Sequence, residues 1–578
     1  MKIQCLDFAN GSSKTFLLRT HQNTILFNCP LESRLLEELR GSSRPPSLSQ
    51  SSSSSRQAPV LGSILSTFTN AHSKRLLDME YTAAQSQAES ISVFRTANLD
   101  LVDISNIDVV IIANSDMMLG LPFLTEYLGY KGRIYATAPS IEFARQRMEE
   151  LIAYHGTSGT YTQPGSSIGS MPTGTVAEGW RFLYTMNNVR ACLDKVQSVG
   201  YLQEISLFSA LKFTAHSSGY ALGAANWVLE ASERKIALLS TSSAVPDRHP
   251  QPFDPSAFNN ANVILVSDTR SEIPGDRVDL LHIRERIKAR AGSALHTRQN
   301  LLFPISTTRA LFDILEDLRI YFSAMGLEAS TDAGFPHIYV LSPVSKMSLE
   351  YANICGEWMT PDHHVNLYEA VAPLGYAKLV KSGVLKAIKS VASTPNVKYD
   401  LEEPCIMFAG DYTCLARGPI ASLLRNGSKN SNTLCVITEK DTPTLSDIAM
   451  PMETIIYDPR MSLLDMASSI ITHNQAIPPQ HIIIPSALES MEVKKELEQI
   501  LGSHIHVYSP GEILNIELDR PWEKLMITEE LSSDICLEPF PLNNSIACAG
   551  VMGEVVLFNN RLELRPVTSY FDQNFGRE

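Results

Sequence analysis

The chain has 578 residues, with 48 Lys and Arg against 62 Asp and Glu, a formal net charge of −14 and 44% hydrophobic residues. This composition supplies a packed core and excludes a globally disordered chain. The acidic balance argues against a protein that grips nucleic acid by bulk positive charge, because phosphate binding leans on Lys and Arg. The 9 cysteines include no C-x-x-C pair and predict reduced thiols that fill core space. The N-terminus lacks an apolar leader, and no apolar run reaches the roughly 18 residues of a membrane span, so neither a secretory signal nor a transmembrane helix is expected.

In chain order, Lys2–Phe8, Lys14–Thr20 and Thr24–Asn28 are short apolar runs parted by turn residues and predict strands. Residues 41–59 and 155–175 are rich in Ser, Gly and Pro, cannot bury apolar area, and predict disordered insertions. Between them, Ile107–Ala113 predicts a buried strand, Met117–Leu128 a helix and Arg133–Thr137 the next strand. Further strands are predicted at Lys212–Ala215, Lys235–Ser240, Val263–Ser267, Leu301–Pro304, His337–Leu341, Cys405–Ala409, Thr433–Thr438, Glu453–Tyr457, His481–Ile484 and His506–Tyr508. The clearest helix is Thr308–Met325, with Ala310, Leu311, Ile314, Leu315, Leu318 and Phe322 at helical spacing and Thr307 or Thr308 as N-cap. This alternation makes the fold class α/β.

Common catalytic signatures are missing. No P-loop, no G-x-G-x-x-G opening a helix and no G-x-S-x-G elbow occurs. Ser218-Gly219 and Ser166-Ser167 have no base at sequence level. His363-His364 are adjacent, so one ion is not expected to use both. His504-x-His506 would share a strand face, but no Asp-His follows, and the pair is placed in a turn before a strand with a surface role.

The segment IDVVIIANSDMMLGLPFLTEYLGYKGRIYATAPS at 107–140 resembles the core of the metallo-β-lactamase fold in the β-CASP group of RNA nucleases. SSGYALGAANWVL (217–229), VPDRHPQPFD (245–254), VILVSDT (263–269), LLFPISTTRALFDIL (301–315), LSPVSKMSLEYANICGEWM (341–359), PCIMFAG (404–410) and IIIPS (482–486) extend the resemblance from about residue 1 to 565. It implies an αββα metallo-β-lactamase sandwich with an inserted β-CASP α/β domain. Residues 1–271 and 455–578 would form the sandwich and the start of a C-terminal region, and 272–454 the insertion. Active members carry H-x-H-x-D-H after a buried strand, and two metals there activate water and clamp phosphate oxygens.

Carried over position by position, the resemblance implies that nearly all metal ligands are replaced. The Asp ending the early strand is Asn28, and the H-x-H-x-D-H positions are Asn114, Asp116, Met118 and Leu119. The Gly-His ligand is Gly219-Tyr220, the bridging Asp is Thr241, and the acidic residue of the boundary strand falls at Ser267 beside Asp268. The two late histidines fall at about Arg460 and Ser486. Leu offers no lone pair, and a Met thioether prefers soft ions. No catalytic, metal-binding or cofactor-binding residue is therefore expected. The Tyr220 ring is expected to occupy the metal space, with Arg460 adding a repulsive positive charge. A residual Mg²⁺ or Ca²⁺ site could use Asn114, Asp116, His216 and Asp268. The plainer reading has Asn114 and Asp116 capping the helix at Met117.

Three functions follow as expectations. The first is a non-catalytic, nuclear scaffold subunit that pairs with an active β-CASP endonuclease in RNA 3′-end processing; small nuclear RNA and messenger RNA are alternative substrates of the assembly. The second is an active metal-dependent RNA hydrolase with unorthodox ligands. The third is an RNA-binding module, which a Lys/Arg-lined cleft would favour. Arg309 stands where active relatives often have an arginine, so a weak RNA contact is allowed. Family members also pair through a C-terminal region. This sequence ends at Glu578, soon after the strand-like 553–567. Pairing is thus expected through the two folded domains, and more weakly than with that region.

Overall fold

The computed structural model describes residues 1–566 apart from 7–13, 21–22, 36–91, 100–101, 156–180, 208–210, 232–233, 271–278, 328–333, 369–370, 390–403, 411–417, 428–431, 440–449, 474–477, 487–497, 500–503, 517–524, 535–539, 544–545, 549–550 and 559–560. The insertions expected at 41–59 and 155–175 lie outside the described residues, except for His155, which ends a helix. The chain forms two compact units, Met1–Ile516 and Glu517–Glu578.

The first unit begins with a seven-stranded sheet. Its order is Ile513–Asn515, Lys2–Cys5, Phe16–Arg19, Thr24–Phe27, Val109–Ile111, Arg133–Thr137 and Val196–Val199. The early strands pair antiparallel, and Thr24–Phe27 onward pair parallel. A second seven-stranded sheet runs His504–Tyr508, His481–Pro485, Val263–Val266, Arg234–Leu239, Ala225–Ala231, Leu211–Ser217 and Glu204–Leu207.

Alternation along each strand makes these sheets a sandwich. In Arg133–Thr137, Ile134 and Ala136 join an apolar cluster with Ala144, Met148, Leu151, Val189 and Cys192 of helices Ala138–His155 and Met186–Leu193. Between them, Tyr135 points the other way and meets Phe213 of the second sheet edge-on, ring centroids 4.9 Å apart. The buried Trp227 donates its indole N–H to Ile112 O of the first sheet at 3.0 Å. Ala237, Leu239, Ile264, Val266, Ile482 and Ile484 pack outward against Met466, Ala467 and Ile470 of helix Leu463–His473. The layers are therefore αββα.

The chain leaves the sandwich after Val263–Val266 and returns at His481–Pro485, which lies beside that strand in parallel. A six-stranded parallel sheet fills the interval, ordered Leu385–Ile388, His337–Leu341, Cys405–Ala409, Asn300–Phe303, Thr433–Ile437 and Met452–Thr454. Both of its faces are apolar: Phe303, Val340 and Phe408 lie on one, and Leu302, Leu341 and Met407 on the other. A parallel sheet needs such cover on both sides. The fold is the expected α/β class: a metallo-β-lactamase sandwich with an inserted α/β domain.

The second unit contains a three-stranded sheet of Met526–Ile527, Arg561–Arg565 and Glu554–Phe558, a hairpin of Phe540–Asn543 with Ile546–Cys548, and helix Glu529–Asp534. Among the described residues, Cys5, Cys29, Cys192, Cys355, Cys405 and Cys435 are buried and form no disulfide. No helix of the described residues is long and apolar enough to cross a membrane.

Two local expectations need correction. Met117–Leu128 is no continuous α-helix: Asp116–Met118 is a 3₁₀ turn and Phe123–Tyr127 a π turn. Gly120 interrupts the run, where a Cβ would lie 2.6 Å from Pro30 O, and Pro122 brings no N–H to a helical ladder. The long helix of the insertion starts at Ala310, with Arg309 at the capping position. Thr308 Oγ1 is 3.0 Å from Ser306 Oγ, so neither threonine caps it.

Candidate functional site

The residues that follow the strand ends converge on one cleft. Asn28 comes after the third strand with φ of 66°, which Asn tolerates better than most residues. Its Oδ1 accepts from Ala113 N at 3.0 Å, and its Nδ2 donates to Lys14 O at 3.2 Å. Both ends of the amide therefore hold backbone. Asn114 Oδ1 accepts from the N–H groups of Asp116 (3.1 Å) and Met117 (3.2 Å). Asn114 is thus the cap, whereas Asp116 turns to Arg309, 3.4 Å from its Nη1. Met118 and Leu119 lie in the apolar cluster beneath the helices.

Gly219 has φ of +68°, and a Cβ there would lie 2.2 Å from Ser243 O. Only glycine fits this close approach. It delivers Tyr220, whose hydroxyl accepts from Arg309 Nη1 at 3.1 Å. Burial pushes the Tyr220 phenol up, against the pull of Arg309. Arg309 Nη2 also lies 3.7 Å from Glu439, whose carboxyl burial pushes up against the same pull.

The other half of the cleft centres on Asp268. Lys14 Nζ contacts its Oδ2, Arg460 Nη1 its Oδ1 at 3.0 Å, and Thr241 donates its hydroxyl at 2.8 Å. Burial opposes the charge on Asp268, but Lys14 and Arg460 outweigh it and hold the carboxyl below its usual range. Arg460 is also paired with Asp458 at 2.6 Å. Arg460 thus brings its positive charge into the cleft, held between the carboxylates of Asp268 and Asp458.

The four residues of the suggested Mg²⁺ or Ca²⁺ site are not brought together. Asp116 pairs with Arg309, and Asp268 with Lys14 and Arg460. His216 Nδ1 faces Asp254 at 2.8 Å and Ser256 at 3.2 Å. Burial disfavours the Asp254 charge, yet bonds to His216 and Ser256 prevail and bring it down to about 2. Among the described residues, no group of three or more His, Cys, Asp or Glu is placed to hold a metal ion. The donor set does not fit a two-metal centre: two positions are apolar core, the Asn28 amide serves backbone, and the central carboxylate already faces two cations. Ser486 lies just past strand His481–Pro485, and Ser267 N donates to Leu239 O at 2.8 Å.

The remaining histidines fall elsewhere. His363 Nδ1 donates to Pro373 O (2.9 Å), and His364 lies against Tyr368. His504 and His506 stand on strand His504–Tyr508, not in a turn, and His506 Nε2 is 3.0 Å from His481 Nδ1. Ser166-Ser167 lie outside the described residues.

Sequence reasoning missed Lys14, Glu439 and Asp458. It also missed the network above Tyr220, although VPDRHPQPFD had been marked. Arg248 Nε donates to Asp313 Oδ2 at 2.9 Å and its Nη1 to Gly219 O at 3.0 Å, while its guanidinium lies over the Tyr220 ring at 5.9 Å. His249 meets Asp313 Oδ1 through N (3.1 Å) and Nδ1 (2.6 Å). Asp313 belongs to helix Ala310–Ala324 of the insertion, so this network ties the insertion to the sandwich at the cleft. Nothing local in the sequence pairs residues 65 apart.

Residues 71–251 match the family described as the metallo-beta-lactamase superfamily domain. With the sandwich and the parallel-sheet insertion, the chain has the metallo-β-lactamase/β-CASP architecture. At 29% identity over 498 residues it is similar to the Integrator complex subunit 9 homolog of Nematostella vectensis, covering 83% of this chain and 73% of that protein. Against Integrator complex subunit 9 of Homo sapiens the identity is 27% over 497 residues, with the same two coverages. A shorter match, 27% over 154 residues, covers 27% of this chain and 18% of Endoribonuclease YSH1 of Saccharomyces cerevisiae.

Proposed function

We propose that this chain is a non-catalytic scaffold subunit of the Integrator complex. It pairs with the active endonuclease, Integrator complex subunit 11, and subunit 4 joins them. Other Integrator subunits and RNA polymerase II are reached indirectly. The assembly processes small nuclear RNA 3′ ends and cleaves nascent transcripts in the nucleus. The supporting observation is the cleft itself: Lys14, Arg309 and Arg460 face Asp116, Asp268, Glu439 and Asp458. Three cations matched by four carboxylates leave no excess positive charge for RNA phosphates. The relatives named above make Integrator the favoured assembly over the messenger RNA cleavage machinery.

Tagged chain recovered from nuclei is expected to carry a β-CASP protein with intact H-x-H-x-D-H. The purified chain alone is expected to cleave no RNA, and any trace activity is expected to persist in Asp116→Ala. Recovery without such a partner, or activity that vanishes in Asp116→Ala, contradicts this reading.

A further inference from the structure

We infer that Lys14 and Arg460 are built-in cations that do the structural work of divalent ions in this cleft, so that the fold needs no metal. This goes beyond the scaffold reading, because a chain without nuclease activity could still require a metal to fold.

The argument begins at Asp268, which is 7% exposed at the end of strand Val263–Val266. A buried carboxylate must be neutralised or protonated. Here the neutralising charges arrive from two distant parts of the chain. Lys14 comes from just ahead of strand Phe16–Arg19 in the first sheet. Arg460 comes from the segment ahead of helix Leu463–His473. Each is anchored by a second contact: the Lys14 carbonyl accepts from Asn28 Nδ2, and the Arg460 guanidinium is paired with Asp458. Together they join first sheet, second sheet and return segment through one carboxylate. An ion shared between elements does the same joining, and ligand binding of that kind is normally folding free energy. Covalently attached cations cannot be removed by a chelator.

The positions that would have to bind a metal also resist one. An incoming divalent ion would meet the Lys14 ammonium and the Arg460 guanidinium on the same carboxylate, with like charges at contact distance. Asp116 is likewise engaged by Arg309.

Thermal unfolding of the full chain tests this. The unsubstituted protein is expected to show the same Tm in chelator and in excess Zn²⁺ or Mn²⁺. Lys14→Met and Asp268→Asn are each expected to lower Tm by several degrees. The double variant is expected to lose clearly less than their sum, since Arg460 keeps Asp458 as partner. A Tm that falls in chelator overturns the inference, as does strict additivity of the two substitutions. Where Lys14→Met yields no folded protein, a folded double variant supports the inference and an unfolded one overturns it. None of these readouts depends on nuclease assays or on partner capture, so their failure leaves the scaffold proposal to its own test.

Discussion

Asp313→Ala is expected to cost about 3–5 kcal/mol of stability, the range found when one partner of a buried ion pair is removed. The carboxylate is 3% exposed and accepts from Arg248 Nε, His249 N and His249 Nδ1. Deleting it leaves the fully enclosed Arg248 guanidinium with Gly219 O and the Tyr220 ring, but without a counter-charge. The Arg248→Met/Asp313→Leu pair should cost much less, because it removes both charges together. Urea unfolding of the three variants measures this directly. A cost below about 1 kcal/mol for Asp313→Ala would place the pair among ordinary surface ion pairs.

The same residue sets a pH dependence. Burial opposes the Asp313 charge, but Arg248 and His249 outweigh it and hold its carboxyl far below the usual range. A carboxylate lowered on folding stabilises fully above its unfolded pKa of about 4 and progressively less as pH falls below it. The gap between Asp313→Ala and the unsubstituted chain should therefore be constant above about pH 5 and narrow in acid.

Trp227→Ala is expected to destabilise by a similar 3–5 kcal/mol. The side chain is fully buried between the two sheets, packs on Phe213 at 5.7 Å and donates to Ile112 O. Alanine leaves a large cavity, and it also strips a buried carbonyl of its donor. Trp227→Phe separates these effects: it keeps most of the packing and loses only the indole bond, about 1–3 kcal/mol. Equal losses for the two variants would mean that the hydrogen bond, not the volume, holds the sandwich at this point.

The strands of the core were legible because their signal is local. Arg133–Thr137, His337–Leu341 and Cys405–Ala409 are continuous apolar runs bounded by turn residues, and the structure keeps those limits. Ala225–Ala231 was not predicted from pattern, although its Trp227 is a centre of the sandwich. Its apolar residues are interrupted by Asn226, whose amide is buried and accepts from Ser240 N. The helix expected at Met117–Leu128 shows the opposite error. Its apolar spacing is helical, but Gly120 and Pro122 sit where tertiary contact and a missing N–H divert the backbone into tighter and wider turns.

The sequence by itself determined the α/β class, and the resemblance of its motifs implied the interrupted sandwich, non-imidazole residues at the His positions Asn114, Asp116, Leu119 and Tyr220, and Met118 at a carboxylate position. Those are properties of residue type and of order along the chain. Only the tertiary structure decided what took the place of the ligands. Lys14 meets Asp268 across 254 positions, and Arg460 meets it across 192. No periodicity encodes such distances. An isolated Lys or Asp reads as a solvated surface charge until the fold buries it, and burial alone makes its pairing obligatory.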